Sequence, residues 1–366
     1  MLTGSGKKSN KLLVVLSKIE LRNIGISETV LSRGRQLVWI TLGFFCALFI
    51  ENGTAQEANT NASSDIQLKL HPGLHLSERE GKILSIERKE NLQGSPWECV
   101  DFYQLVGQSG VWVDRKAAIE NDQFYRAVPF SPPEGMVFIP PGTFRMGSPE
   151  KESGRDDDEL QVDVILTKGF WMGATEVTQS EYEKVMGNNP SDFQGNPNRP
   201  VDSVSWFEAV EYCEKLTEVH RESGVIPDGA AYRLPTSAEW EYACRAWTST
   251  RFNYGEDPAV SQLFNYAWED KGSGVTTHPV GQLEPNAWGL YDMHGNVWEY
   301  CQDWFGNSKS GLHVDPQGPS TGNFKIQRGG GIFEDSNAFR CARKNWTRPE
   351  LRFRNLGFRV VLAALQ

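Results

Sequence analysis

Asn286-Ala-Trp-Gly-Leu-Tyr-Asp-Met-His-Gly-Asn-Val-Trp-Glu-Tyr300 is the stretch from which the fold is read. Two Trp, two Tyr, two Gly, two Asn, an Asp and a Glu occupy its fifteen positions. Neither period 2 nor period 3.6 fits that distribution, so neither a simple strand nor an amphipathic helix is predicted. Gly289 and Gly295 suit turns or close backbone approach. Gly295, Asn296, Val297 and Glu299 bring a carboxylate, an amide oxygen and turn carbonyls together. A hard cation such as Ca²⁺ takes such oxygens from side chain and backbone alike. The competing reading makes Trp288 and Trp298 core anchors and Glu299 a turn cap.

The composition around this stretch agrees with a turn-rich body. The chain has 366 residues, 35 of them Gly, 19 Pro and 12 Trp, with 39% hydrophobic residues. Its net charge of −10 argues against nucleic acid or a polybasic membrane surface as the main partner.

Three capping boxes announce helices upstream. Thr178-Gln-Ser-Glu181 opens one that ends near Gly187. Ser205-Trp-Phe-Glu208 opens a second, with Val210, Cys213 and Leu216 facing inward. Thr236-Ser-Ala-Glu239 opens a third, with Trp240, Ala243, Cys244 and Trp247 at helical spacing. In each, the hydroxyl takes the N3 amide while the Glu returns to the N-cap amide. Met136 to Ile139 and Thr143 to Met146 read as the two strands of a β-hairpin. Val162 to Leu166 and Gly169 to Met172 read as further strands. Glu152 to Glu159 reads as a solvated acidic loop. After Arg251 the pattern is short strands and long loops. The fold class is α+β with little regular secondary structure, a few capped helices around short antiparallel strands, and function on loops.

At the N-terminus, Arg33 and Arg35 precede the apolar run Leu37 to Ile50, and Gly53-Thr-Ala55 follows. This is a secretory layout over residues 1–55. The apolar run is shorter than the roughly 20 residues of a membrane span. Export to the periplasm or the extracellular space is expected, with an uncleaved N-terminal anchor as the alternative. Residues 56–66 read as a polar linker. Residues 67–126 give no motif beyond Gly110-Val-Trp-Val-Asp114, a candidate strand. Residues 127–366 form the main domain.

Five blocks then resemble the formylglycine-generating enzyme (sulfatase-modifying factor) family. They are Gly135 to Gly147, Ala174-Thr-Glu-Val-Thr178, Arg233 to Cys244, the stretch 286–300, and Arg328-Gly-Gly330 with Asn355-Leu-Gly-Phe-Arg359. They follow in family order and cover about residues 130–364. The resemblance implies the sulfatase-modifying-factor fold, related to C-type lectins, and calcium as a structural ion. The matching positions for one calcium site are Gly295, Asn296, Val297 and Glu299, partly through backbone oxygens. A second site would start at Asn265 and Tyr266, but the segment from Asp270 to Thr277 is much shorter than in the family. Cys244 and Cys341 match a disulfide pair. Cys213 matches another family cysteine whose partner position is Val360 here.

The family's founding activity oxidises a sulfatase cysteine to formylglycine, using O₂ and a copper ion held by two cysteines. Those cysteines would lie between Arg328-Gly-Gly330 and Arg340-Cys-Ala-Arg343. The residues there are Gly331-Ile-Phe-Glu-Asp-Ser-Asn-Ala-Phe339. Copper(I) needs soft donors, and Glu334, Asp335 and Asn337 offer oxygen. The expectation is a family member without the founding activity and without copper. Its pocket, at Gly331, Glu334, Asn337 and Arg343, would bind a peptide, glycan or small molecule. Two alternatives stand: an oxidoreductase of altered chemistry, and a lectin-like binding module. No catalytic residue is assigned. His313-Val-Asp315 has the spacing of two non-haem iron ligands, but a third would have to come from His278, His294 or elsewhere, and no iron is expected. His294 reads as orienting the ion-binding turn. The cluster Arg340, Arg343, Arg348, Arg352 and Arg354 reads either as partners for the many acids or as a pocket rim.

Overall fold

The computed structural model describes residues 68–77, 81–90, 95–107, 109–114, 123–268, 275–306 and 310–365, with backbone pieces at 14–15, 38–39 and 46–50. The secretory layout and the linker therefore lie, those short pieces aside, outside the described residues. No helix among the described residues is long and apolar enough to cross a membrane. The chain divides into two units, Met1–Phe130 and Ser131–Gln366.

In the first unit, strand Ile83–Lys89 pairs antiparallel with Glu98–Gln104 and with Phe124–Pro129. Strand Leu68–Ser77 pairs antiparallel with Ser109–Val113, the run expected as a strand. Leu74, Leu76, Leu84, Ile86, Leu105, Trp112 and Tyr125 form the core. Its aromatic polar atoms are closed off: Trp112 Nε1 donates to Asp101 and Tyr125 Oη to Asp114. The motif-poor residues 67–126 thus contain most of a β-unit with an apolar core.

The second unit carries three α-helices among its described residues, each set by its capping box. These are α1 Gln179–Met186 after Thr178, α2 Trp206–Glu222 after Ser205, and α3 Ser237–Arg245 after Thr236. Of the expected inward residues of α2, Cys213 is buried while Val210 and Leu216 are half-buried, and Ala209, Tyr212 and Thr217 complete the buried face. Tyr212 turns the helix by stacking on Tyr182 at 5.6 Å, and Thr217 accepts the Tyr232 amide. Helix α3 is buried along its whole length and ends at Arg245. Ala246 and Trp247 follow with positive φ, so Trp247 leaves the helical spacing and is exposed.

The predicted hairpin does not form. Met136–Ile139 pairs with Phe170–Gly173, whereas Gly142–Met146 pairs with Val162–Leu166 in another sheet. Pro140 and Pro141 separate them. Two rings with fixed φ and no N–H turn the chain out of one sheet toward the next. The first sheet continues through Val361–Ala364 to Ala230–Arg233. A third sheet runs Asn345–Thr347, Lys325–Arg328, Trp298–Trp304, Leu356–Gly357. Apart from the short strand His294–Gly295, residues 286–297 are irregular, as their lack of period implies. At Trp298 a strand begins whose first four residues are all buried. A strand covered on both faces has no polar side, so alternation disappears.

Candidate functional site

The turn of the opening stretch is held by close backbone packing. Asp292, Gly295 and Asn296 all have positive φ. A Cβ on Gly295 would stand 2.8 Å from Trp268 O, so the residue is Gly on conformational and steric grounds. Asn296 is fully buried and clamps one backbone residue: its Oδ1 accepts His278 N at 3.0 Å and its Nδ2 donates to His278 O. Val297 is buried, and the Trp298 amide donates to Asn355 O.

Glu299 is fully buried, and an arginine holds it. Arg359 Nε donates to Oε2 at 2.6 Å and a terminal nitrogen to Oε1 at 2.7 Å; Trp240 Nε1 adds a bond to Oε2 at 2.7 Å. The remaining Arg359 donors reach the carbonyls of Gly173, Ala174 and Tyr291. Two further acids lie in the electrostatic reach of this pair, and sequence reasoning missed both. Neither oxygen of Glu176 has a donor among the described residues, and neither does Asp292 Oδ1. Asp292 Oδ2 accepts the Gly281 amide at 2.7 Å. Burial, then the neighbouring Asp292, push the Glu176 carboxyl well up. Burial pushes Asp292 up as well. Three buried carboxylates therefore share one guanidinium. Ionised, the site is short of positive charge, and a proton or a bound cation must supply it. Hard oxygens without donors are what Ca²⁺ takes, so this donor set fits the ion. The sequence signal was present: Glu176 lies inside Ala174-Thr-Glu-Val-Thr178 and Asp292 inside the opening stretch.

The proposed second calcium position is only partly described, because 269–274 lie outside the described residues. Asn265 O accepts the Glu284 amide, and Tyr266 stacks on Tyr254 at 4.2 Å.

The four predicted pocket residues separate into two places. Gly331 and Glu334 lie together: the Glu334 amide donates to Gly331 O, and Glu334 Oε1 accepts Trp298 Nε1 at 3.2 Å. Beside them Phe333 faces Phe193, and the Arg354 guanidinium lies 4.6 Å over the Phe333 ring and 5.6 Å over Phe193. Asn337 instead accepts Arg251 at 3.0 Å, and Arg343 pairs with Asp156. The acidic loop is solvated only in part: Asp157 is exposed and Asp156 half-exposed. Glu159 is fully buried against Arg340, which also binds Glu152, and Lys344 faces Asp158. Ion pairing explains Arg340, Arg343 and Arg352, while Arg354 lies over the rings. A separate cavity of about 270 Å³, lined by residues that include Lys168, Tyr232, Arg233, Glu239 and Asp315, contains none of the predicted pocket residues.

Cys244 and Cys341 are buried, with their sulfurs 3.5 Å apart. Cys99, Cys213 and Cys301 are buried thiols. His294 is buried beside the turn; Nδ1 lies 2.6 Å from Phe339 O, and burial pushes the imidazole down to about 4. His313 sits in strand Leu312–Val314, and both Asp315 oxygens accept from Thr167.

Known proteins agree with this architecture. Formylglycine-generating enzyme of Bos taurus is 28% identical over 294 residues, covering 63% of this chain and 75% of that one. Chaperone protein LppX of Paenibacillus barcinonensis is 33% identical over 215 residues, covering 47% and 72%. Among solved structures, Treponema denticola variable protein 1 superposes with a TM-score of 0.55 at 28% identity, over 67% of this chain and 97% of that one. PvdO from Pseudomonas aeruginosa gives a TM-score of 0.53 at 27% identity, over 62% and 94%. Residues 124–364 match the family described as sulfatase-modifying factor enzyme 1-like domain. The chain has the α+β fold of that family, and it belongs to the sulfatase-modifying factor (formylglycine-generating-enzyme-like) family.

Proposed function

We propose that this chain is an exported, calcium-stabilised member of the family that has lost copper-dependent formylglycine formation and serves as a binding scaffold. One observation carries the reading: residues 331–339 hold no cysteine. Glu334 lies there instead, bonded to Trp298. The described cysteines are all buried, so a substrate thiol would meet no thiolate pair at the surface. Oxygen and apolar groups do not replace soft donors for copper(I). What remains at this place is two aromatic rings, a guanidinium and a carboxylate. That chemistry suits a peptide or small ligand with one charged group and one apolar group. A relative named as a chaperone, LppX, supports a role for the family outside oxidation.

For calcium, we propose Glu176 and Asp292 as the side-chain donors. The family resemblance adds backbone oxygens of the turn Gly295 to Val297. The ion would supply fixed positive charge, cross-linking the strand end at Gly173 to the irregular stretch.

The test is aerobic incubation of the full chain with copper and a sulfatase-motif cysteine peptide. A formylglycine-generating enzyme of the family serves as control. The expected result is unmodified peptide. Aldehyde product at the control's rate would overturn the loss of activity.

A further inference from the structure

The cavity of about 270 Å³ in the second unit takes no part in the reading above. Its wall carries four charged residues, Lys168, Arg233, Glu239 and Asp315, whose charges sum to zero. The two acids are already met. Glu239 Oε1 accepts an Arg233 nitrogen, and Oε2 accepts another Arg233 nitrogen and the Thr236 amide. Both Asp315 oxygens accept from Thr167. Gln302, on the same wall, is different. Among the described residues its Oε1 is buried without a donor, and its Nε2 meets no acceptor. Arg233 keeps 28% of its side chain exposed, and its Nε meets no acceptor among the described residues either. We propose that this cavity binds one neutral sugar ring, held by the Gln302 amide and by Arg233 Nε.

Size, charge and hydrogen bonding support that class. Pockets for drug-sized ligands run from about 300 to 1,000 Å³, so a cavity of about 270 Å³ suits something smaller, such as a single ring. The wall charges cancel and its acids are bonded, so an ionic ligand would lose water without gaining a counter-charge. The unmet groups ask for both kinds of partner: Oε1 of Gln302 needs a donor, while its Nε2 and Arg233 Nε need acceptors. A hydroxyl is donor and acceptor at once, so neighbouring hydroxyls of one sugar can serve all three. Leu166 and Phe170 line the same cavity and offer apolar surface to the C–H faces of the ring. A buried acceptor left without a donor costs stability, and a ligand that completes it offsets that cost. The cavity contains neither Phe333 nor Arg354, so this site stands or falls apart from the reading above.

The full chain is probed by saturation-transfer NMR with glucose, galactose, mannose and N-acetylglucosamine, and each responding sugar is titrated. The expected result is at least one sugar with Kd on the order of 1 mM. Gln302→Leu should weaken that sugar about tenfold or more, the worth of one hydrogen bond. The same variant should melt no lower than the unsubstituted chain, because it removes an acceptor that has no donor. Retained Tm with weakened binding separates a ligand contact from a folding defect. Ala231→Leu narrows the cavity from strand Ala230–Arg233, leaves both polar groups in place, and should abolish binding. Glucuronate serves as the charged comparison. No response from any of the neutral sugars would overturn the site. So would an affinity unchanged in Gln302→Leu, or glucuronate bound more tightly than every neutral sugar.

Discussion

Two acid-rich places in the second unit invite comparison. In the loop 152–159, Glu152 and Glu159 meet Arg340, Asp156 meets Arg343 and Asp158 faces Lys344. Around the turn 292–299, Glu176, Asp292 and Glu299 share Arg359 alone among the described residues. Both places are negative in sequence; Glu176, Asp292 and Glu299 are all buried, whereas in the loop Glu159 is buried and Asp156 is half-exposed. Among the described residues, the loop leaves one buried carboxylate oxygen without a donor, Asp158 Oδ1, whereas the turn leaves both oxygens of Glu176 and Asp292 Oδ1 without one. The lesson is that acid content does not mark an ion site; unmet acceptors do. In the first place Glu152, Asp156, Asp158 and Glu159 each meet a cation, and the second needs something added.

The largest effect should follow loss of the shared guanidinium. Arg359→Met leaves three buried carboxylates with no cation beside them. Breaking one buried pair costs about 3–5 kcal/mol, and this variant is expected at or beyond the upper end. Chemical denaturation of the ion-free protein measures it. A loss under about 1 kcal/mol, typical of an exposed pair, would mean that the site is already open to solvent.

Arg340→Met comes next, at about 3 kcal/mol, because it strands Glu159 in the interior. Pairing it with Glu159→Leu should recover most of the loss, since an apolar pair of similar volume replaces a buried ion pair nearly neutrally. No such recovery would show that the loop depends on the charges themselves.

Calcium then separates the two places. Saturating ion should stabilise the chain by about 2–3 kcal/mol at a hundredfold excess over Kd, read as a rise in Tm that a chelator reverses. Glu176→Gln with Asp292→Asn should remove that response. Calcium stabilisation unchanged in this double variant would sink the assignment. The ion-free chain carries a pH signature as well. Glu176 and Asp292 are pushed above ordinary values of 4.5 and 3.8, so the folded state binds more protons than the unfolded. Their contribution is fullest at acid pH and is lost as pH rises through the raised values. Calcium should flatten that loss, and Arg340→Met should leave it unchanged.

The capping boxes made the helices legible, because each box completes itself within four residues. Thr178, Ser205 and Thr236 needed no distant partner. The strand partners were not legible. Two prolines sent Gly142–Met146 away from Met136–Ile139, and the side of α2 that turned inward depended on Tyr182 and Tyr232. The site was half legible. Gly295 and Asn296 showed in the motif, but Glu176 lies far from them in sequence. Its missing donors become visible only when the chain is folded. Arg340 and Glu159 stand 181 residues apart, so the sequence showed an acidic loop where the fold makes a salt-bridge cluster. The first unit's β-core was invisible as a motif because its strands carry packing and no chemistry.

The smallest expected effect tests whether exposure decides the outcome. Arg352 pairs with Glu208 at 2.9 Å, with side chains 53% and 28% exposed. Burial pushes the Glu208 carboxyl up, but Arg352 and Ser205 outweigh it and hold the group at about 2. Glu208 also completes the α2 capping box, accepting the Ser205 amide and hydroxyl. Arg352→Ala leaves that box intact and removes only a solvent-screened partner. The expected loss at neutral pH is under about 1 kcal/mol. An acid held below its ordinary value contributes stability above the unfolded value near 4.5, and that contribution fades as pH falls toward 2. The difference between Arg352→Ala and the unsubstituted chain should therefore shrink on acidification, as urea midpoints at neutral and acid pH would report. A loss as large as that of Arg340→Met would mean that geometry, not burial, sets the strength of these pairs. The contrast between the paired loop and the donor-poor turn would then need another cause.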